Sequence, residues 1–204
     1  CLMQQRTLAF IGAGNMSRSI IAGLIQAGYP AERIIAANPS RPKLDELADQ
    51  FGIRITQNNA EAAREAEVIV LAVKPQLMAA MLEALVAELG SLAGKLLISI
   101  AAGIKVERLQ EMAGGHARII RTMPNTPSLL GLGMTGLYAP TGINQADRDF
   151  AEQMMQAVGK TLWVAQESGI NGVIAAAGSA PAYFFLFMQG IAEEAEAMGF
   201  TPEQ

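Results

Sequence analysis

The hexapeptide Gly12-Ala13-Gly14-Asn15-Met16-Ser17 stands between the apolar run Thr7–Ile11 and a stretch with apolar residues at Met16, Ile20, Ile21, Leu24 and Ile25. The run reads as a strand, and the stretch, Asn15–Ala27, as a helix by its spacing. Glycines at a strand-to-helix turn serve a dinucleotide in two ways. The first permits the tight turn, and the second lets the backbone approach a diphosphate. The free N–H groups and positive dipole end of the helix then attract the anion. A small third residue allows helix and strand to pack closely; Ser17 stands where glycine or alanine is usual. The alternative is a structural turn in an α/β domain that binds nothing.

The residues after the second strand select the cofactor. Asp or Glu there would bind a ribose 2′-hydroxyl and repel a 2′-phosphate. Here the segment is Asn38-Pro39-Ser40-Arg41, with no acid. Asn, Ser and Arg can donate hydrogen bonds to a phosphate, so NADPH is expected in preference to NADH. An exposed loop that caps the next helix would explain the same residues.

Three more strand ends carry unusual residues, and ligands of open α/β sheets bind outside the carboxyl ends of the strands. Val73-Lys74-Pro75 ends one strand, with the proline leaving Lys74 at the rim. Ser99-Ile100-Ala101-Ala102-Gly103 ends the next, its small residues leaving room for a flat ring. Arg121-Thr122-Met123-Pro124-Asn125-Thr126-Pro127 follows, its prolines fixing a rigid loop that presents Asn125 and Thr126. Singly these are ordinary turn chemistry. At one rim with the glycine turn they point to a nicotinamide and substrate pocket.

The elements that would hold these loops alternate. Strands are expected at Ile34–Ala37, Ile53–Ile55, Val68–Val73, Leu96–Ile100, Ala117–Arg121, Met134–Ala139 and Thr161–Val164. Helices are expected at Lys43–Phe51, Gln76–Leu89, Val106–Met112 and Gln145–Val158. Leu77, Ala80, Met81, Leu85 and Leu89 form the expected inner face of the second of these. The class is therefore α/β with a mostly parallel sheet.

Composition narrows the function. Charged residues are 17% of the 204, against about 25% in ordinary soluble domains. The apolar share of 51% excludes a disordered chain, and the low charge suggests surface hidden in an oligomer. A net charge of -4 and a pI near 5.1 argue against nucleic acid. A single cysteine permits no internal disulfide, and no signal peptide is seen, so a cytoplasmic setting is expected. Cys1 and Leu2 are read as preceding a natural start at Met3. No His, Cys, Asp and Glu cluster has metal-ligand spacing. His116 reads as a surface turn residue. Asp147 and Asp149 read as acids favouring a helix start.

All 15 basic residues lie at or before Lys160, whereas Glu167, Glu193, Glu194, Glu196 and Glu203 follow it. A domain boundary is placed near Val164–Glu167. From Ser168 to Ala192 no residue is charged. The length would span a bilayer, but Gly178, Pro181 and several polar residues interrupt it. Ile170–Ile191 is expected to be buried between subunits.

AVKP at Ala72–Pro75, SIAAGI at Ser99–Ile104, RTMPNTP at Arg121–Pro127 and GSAPAYFF at Gly178–Phe185, after GAGNMS, resemble pyrroline-5-carboxylate reductases from Met3 onward. The resemblance implies NAD(P)H-dependent reduction of 1-pyrroline-5-carboxylate to L-proline, the last step of proline biosynthesis. It implies a Rossmann domain over residues 3–164. Residues 165–204 would begin an all-helical dimerisation domain that builds homo-oligomers from dimers and is incomplete in this chain. By matching position, Gly12, Ala13, Gly14, Asn15, Met16, Ser17, Asn38, Ser40, Arg41, Asn59, Val73, Lys74, Ala101 and Ala102 would line the cofactor site. Asn125 and Glu167 would lie near the nicotinamide or the substrate.

Two departures stand out. Ala180 replaces the middle glycine of the family's GSGPAY. The family also continues into a Ser/Thr- and Gly-rich segment that helps bind the substrate carboxylate, and this chain ends at Gln204, ahead of it. A piece of a longer protein is therefore expected. Alternatives are a β-hydroxyacid dehydrogenase-like enzyme or a non-catalytic nucleotide-binding protein. The related dehydrogenases use a lysine in their Gly-rich helical motif, and Gly178–Phe185 has none.

Overall fold

A computed structural model describes residues 3–125 and 133–177. Thr126, Pro127 and the motif Gly178–Phe185, with Ala180, lie outside the described residues, as does the uncharged stretch from Gly178 onward.

The described strands form one sheet in the order β3-β2-β1-β4-β5-β6-β7-β8. They are β1 (Leu8–Ile11), β2 (Ile34–Ala37), β3 (Arg54–Thr56), β4 (Val68–Leu71), β5 (Leu96–Ser99), β6 (Arg118–Met123), β7 (Gly133–Tyr138) and β8 (Gly159–Trp163). The helices are α1 (Asn15–Gln26), α2 (Arg41–Phe51), α3 (Asn59–Glu65), α4 (Pro75–Leu89), α5 (Val106–Met112), α6 (Gln145–Met155) and α7 (Ile170–Ala177). All neighbouring strands are parallel except β6 and β7. This is the mostly parallel sheet expected from the alternation of elements, and its order is Rossmann-like, as the family resemblance implies.

The strands β1, β2, β4 and β5 are buried at every residue. Such continuous apolar runs are what a sheet covered on both faces requires. Alternate residues feed two cores. Leu8, Phe10, Ile34, Val68, Val70 and Ile98 meet Ile20, Leu24, Leu44, Phe150 and Met154 from α1, α2 and α6. Ala9, Ile11, Ile69, Leu71 and Leu97 meet Ala63, Met78, Leu82, Leu85 and Leu109 from α3, α4 and α5. Each fully buried Leu or Ile contributes about 1.5–3 kcal/mol of transfer free energy.

Helix α4 is turned relative to the expected face. Met78, Met81, Leu82 and Leu85 are buried, while Leu77 is 54% exposed and Ala80 is exposed. Pro75 opens the helix at the rim. The i, i+3, i+4, i+7 stripe that reaches the sheet starts at Met78, and Leu77 falls on the outer side.

Helix α3 is an element the periodicity did not predict, because its sequence Asn-Ala-Glu-Ala-Ala-Arg-Glu holds no large apolar residue. Its signal is the cap: Asn58 accepts hydrogen bonds from the N–H groups of Ala60 and Glu61. The expected Gln145–Val158 helix divides into α6 and a 3₁₀ turn at Gln156–Val158. Asn144 caps α6, and Asp147 stands in its first turn, as expected of an acid that favours a helix start, and is also buried. His116 is exposed in the turn before β6.

Beyond β8, a 3₁₀ turn at Glu167–Gly169 leads into α7. Ile170 and Val173 are buried with Met123 and Val164 in a small cluster inside the chain. Helix α7 sits close on β7 because Gly136 has no side chain. A Cβ there would lie 3.1 Å from Val173 and 3.2 Å from Ile170.

Candidate active site

The candidate residues gather at the carboxyl end of the parallel strands. Gly12 follows β1 with φ +109, and its N–H donates to the Ala37 carbonyl at 2.9 Å. A Cβ at Gly12 would stand 2.5 Å from the Ala72 carbonyl oxygen. The turn is thus wedged between the ends of β2 and β4, where only glycine fits. Ser17 is buried, and its hydroxyl donates to the Gly12 carbonyl at 2.7 Å. That bond uses the hydroxyl at the unusual third position to tie the first turn of α1 to the glycine loop.

Gly14 is the N-cap of α1, and no side chain caps that helix. A Cβ at Gly14 would meet nothing within 4 Å. The first N–H groups of α1 therefore lack a side-chain acceptor behind open space. Such an end is suited to a phosphate by its donors and by its dipole.

Asn38 is a staple. Its Oδ1 accepts from the Ala13 N–H at 3.2 Å, and its Nδ2 donates to the Ser40 carbonyl and hydroxyl oxygens, both at 3.1 Å. With its amide so engaged, Asn38 shapes the loop, and Ser40 and Arg41 are left as the donors at its tip. Arg41 opens α2 and pairs with Asp45 at 2.8 Å, both side chains well exposed. Asn59 lines a cleft of about 340 Å³ with Pro39, Gln57, Asn58, Met81 and Leu85. Gln57 holds its edge by donating from Nε2 to the Pro39 carbonyl at 2.9 Å.

Val73 packs against the second core, whereas Lys74 is exposed as the N-cap of α4. The loop after β5 is anchored at Ser99, whose hydroxyl accepts from the Ala101 N–H at 3.2 Å and whose carbonyl accepts from Thr122 Oγ1 at 2.8 Å. Ala101 is buried; Ala102 and Gly103 face outward. Asn125 sits at the end of β6, and its Oδ1 accepts from the Met134 N–H at 3.1 Å, linking β6 to β7.

Glu167 reaches back to this rim from beyond β8. Its Oε2 accepts from the Val106 N–H at 2.7 Å and from Arg121 Nη1 at 3.2 Å. Arg121 is 3% exposed, and its Nε has no hydrogen-bond partner. In the sequence Arg121 is the first residue of the RTMPNTP motif. Its signal is a guanidinium directly after the apolar pair Ile119-Ile120, which demands a partner once buried. Among the described residues, no group of three or more His, Cys, Asp or Glu could hold a metal ion.

The chain matches known families at both ends. Residues 7–103 match the family "NADP oxidoreductase coenzyme F420-dependent", and residues 167–204 match "Pyrroline-5-carboxylate reductase dimerisation". A pyrroline-5-carboxylate reductase of Vibrio alginolyticus is 54% identical over 201 residues, which are 98% of this chain and 73% of that protein. The Haemophilus influenzae reductase is 47% identical over 93% of this chain and 69% of its own length.

Solved structures agree. A Coxiella burnetii pyrroline-5-carboxylate reductase superposes with a TM-score of 0.83 at 40% identity, covering 98% of this chain and 74% of that one. A Plasmodium falciparum pyrroline carboxylate reductase with NADP bound gives 0.74 at 28% identity, covering 99% and 73%. The glycine turn, the loops at its rim and the segment beginning at residue 167 therefore belong together, and the chain is a member of the pyrroline-5-carboxylate reductase family.

Proposed function

We propose that this oxidoreductase holds NADPH, in preference to NADH, across the Gly12–Ser17 turn, with the nicotinamide end toward Ala101, Ala102 and Asn125. The family reaction is the reduction of 1-pyrroline-5-carboxylate to L-proline, the final step of proline biosynthesis. The observation that carries the proposal is the wedge of Gly12 against Ala72 with open space before Gly14 at the uncapped start of α1. The NADP in the Plasmodium falciparum relative supports the same cofactor.

In this reading, the first-turn N–H groups of α1 hold the diphosphate. Ser40 and Arg41 take the 2′-phosphate, and the cleft beside Asn59 takes the adenosine end. Val73 and Lys74 border the path between them. A reduced nicotinamide supplies the hydride when bound. The protein's own work is alignment and exclusion of water. A cyclic imine protonated at nitrogen is electrophilic at its ring carbon, so this reading assigns no dedicated general acid. Asn125 shapes the substrate side through its bond to Met134.

The same proposal divides the chain into a dinucleotide-binding part, residues 3–164, and the start of a dimerisation part, residues 165–204. A homo-oligomer built from dimers is supported by the match at residues 167–204. Cytoplasmic residence is supported by a cysteine content that calls for no oxidising compartment. Among the described residues, no helix is long and apolar enough to cross a membrane.

Steady-state oxidation of NADPH and of NADH with pyrroline-5-carboxylate tests the cofactor assignment. The ratio of kcat/KM should favour NADPH. Arg41→Ala should reduce that ratio about tenfold, the value of one charge-assisted hydrogen bond. A native preference for NADH would overturn the assignment.

A further inference from the structure

Glu167 lies in the turn that opens α7, far along the chain from the loop between β5 and α5, yet its carboxylate is spent on that loop. Oε2 takes the Val106 N–H at 2.7 Å and Arg121 Nη1 at 3.2 Å. Val106 is the first residue of α5, and its N-cap, Lys105, gives no side-chain hydrogen bond. Glu167 therefore does from outside what a capping side chain ordinarily does from within. The other end of the loop is held by Ser99, through the Ala101 N–H and Thr122 Oγ1. Adjacent residues of β6, Arg121 and Thr122, thus anchor both ends; between them Ala101 and Ile104 are buried, and Ala102, Gly103 and Lys105 face outward.

The anchor has few alternatives open to it. Arg121 is 3% exposed and already has one nitrogen without a partner, so loss of Glu167 would strand a buried cation. Helix α7 is set against β7 by the absence of a Gly136 side chain, which fixes where Glu167 sits.

We propose that Glu167 is a positioning residue for the cofactor: it fixes the Ala101–Lys105 loop against the segment that begins the dimerisation region, and does not itself touch substrate. The inference rests on the placement of the nicotinamide end beside Ala101 and Ala102 given above.

The test compares three variants of the complete enzyme. Glu167→Ala removes the acceptor and strands Arg121. Glu167→Gln keeps an oxygen that can accept from Val106. Val106→Pro deletes the N–H donor alone, at the first helical position, where proline is tolerated. The expected result is a KM for NADPH raised about tenfold in Glu167→Ala and in Val106→Pro, the loss of one hydrogen bond to a charged group. The KM for pyrroline-5-carboxylate stays within about twofold, and Glu167→Gln recovers most of the loss. Should Glu167→Ala fail to fold, Val106→Pro and Glu167→Gln decide. A raised imine KM in Glu167→Gln with Val106→Pro unaffected would make Glu167 a substrate contact and overturn the proposal. Unchanged NADPH KM in both Val106→Pro and Glu167→Ala would overturn it as well. Wild-type enzyme that fails to oxidise NADPH would instead refute the cofactor placement itself.

Discussion

The two ends of the sheet use the same kinds of groups to opposite ends. At the amino end of the strands, charges and helix ends are closed off within the protein. Asp147 is 1% exposed and takes Arg6 and Arg118, each at 2.7 Å. The Tyr29 hydroxyl donates to the Arg6 carbonyl. Lys95 Nζ donates to the carbonyls of Arg64 and Ala66 at 3.0 and 2.7 Å, satisfying the end of α3. At the carboxyl end, α1, α2 and α4 begin without any side-chain cap, and Lys74 and Ala102 face outward. One rim is satisfied by its own chain; at the other, Asn58 caps α3 and Glu167 caps α5, while α1, α2 and α4 have no side-chain cap.

The titration behaviour of the amino end follows from its closure. Burial alone would raise the Asp147 carboxyl, but hydrogen bonds from Arg118 and Arg6 outweigh it and hold the group below its ordinary 3.8. Burial pushes the Tyr29 hydroxyl above its ordinary range and lowers the Lys95 ammonium, the latter partly opposed by Glu67.

The contrast can be broken most directly at Gly12. Gly12→Ala forces a Cβ to within 2.5 Å of the Ala72 carbonyl at φ +109, which should lower stability by roughly 3 kcal/mol or more. Urea unfolding measures it, and wild-type stability in this variant would show that the turn is not wedged.

At the closed rim, Asp147→Asn leaves two arginines facing a neutral amide. The expected loss is about 2 kcal/mol, less than for a fully buried pair because Arg118 is 36% exposed. The sign with pH is fixed by the depressed carboxyl. Its contribution is complete above pH 3.8 and is lost as pH falls through and below that value. Melting curves from pH 7 to pH 2 should therefore show a shallower acid limb in the variant than in the wild type.

Gly14→Ala sharpens the comparison with the smallest change in stability. Its Cβ meets no protein atom within 4 Å, so stability should fall by under about 1 kcal/mol. The methyl intrudes where the diphosphate is placed, so the Kd for NADPH, read by fluorescence titration, should rise about tenfold. Undiminished affinity would place the diphosphate elsewhere.

Much of this contrast was legible in the residues, because its determinants are local. The glycine turn, the apolar strands and the prolines at strand ends each act within a few positions of themselves, and the order of elements followed from them. Long-range polar partners were not legible. Asp147 resembles any helix-start acid until Arg6 and Arg118 are brought to it across the sheet, and nothing near Asn38 in the chain announces that its Oδ1 takes the Ala13 N–H. The run Leu77–Leu89 is apolar on several sides, so spacing alone leaves the phase of α4 undecided, and the buried face starts at Met78 instead of Leu77. Glu167 was singled out through resemblance, but its bond to Val106 depends on how α7 lies on β7.

The outer strand β3 is three residues long, begins with exposed Arg54, and carries an ion pair from Arg54 to Glu65 at 2.6 Å. So brief and charged a border offers a neighbouring molecule little backbone to zip onto. Crowded copies of this chain are thereby steered away from pairing strands edge to edge along that flank.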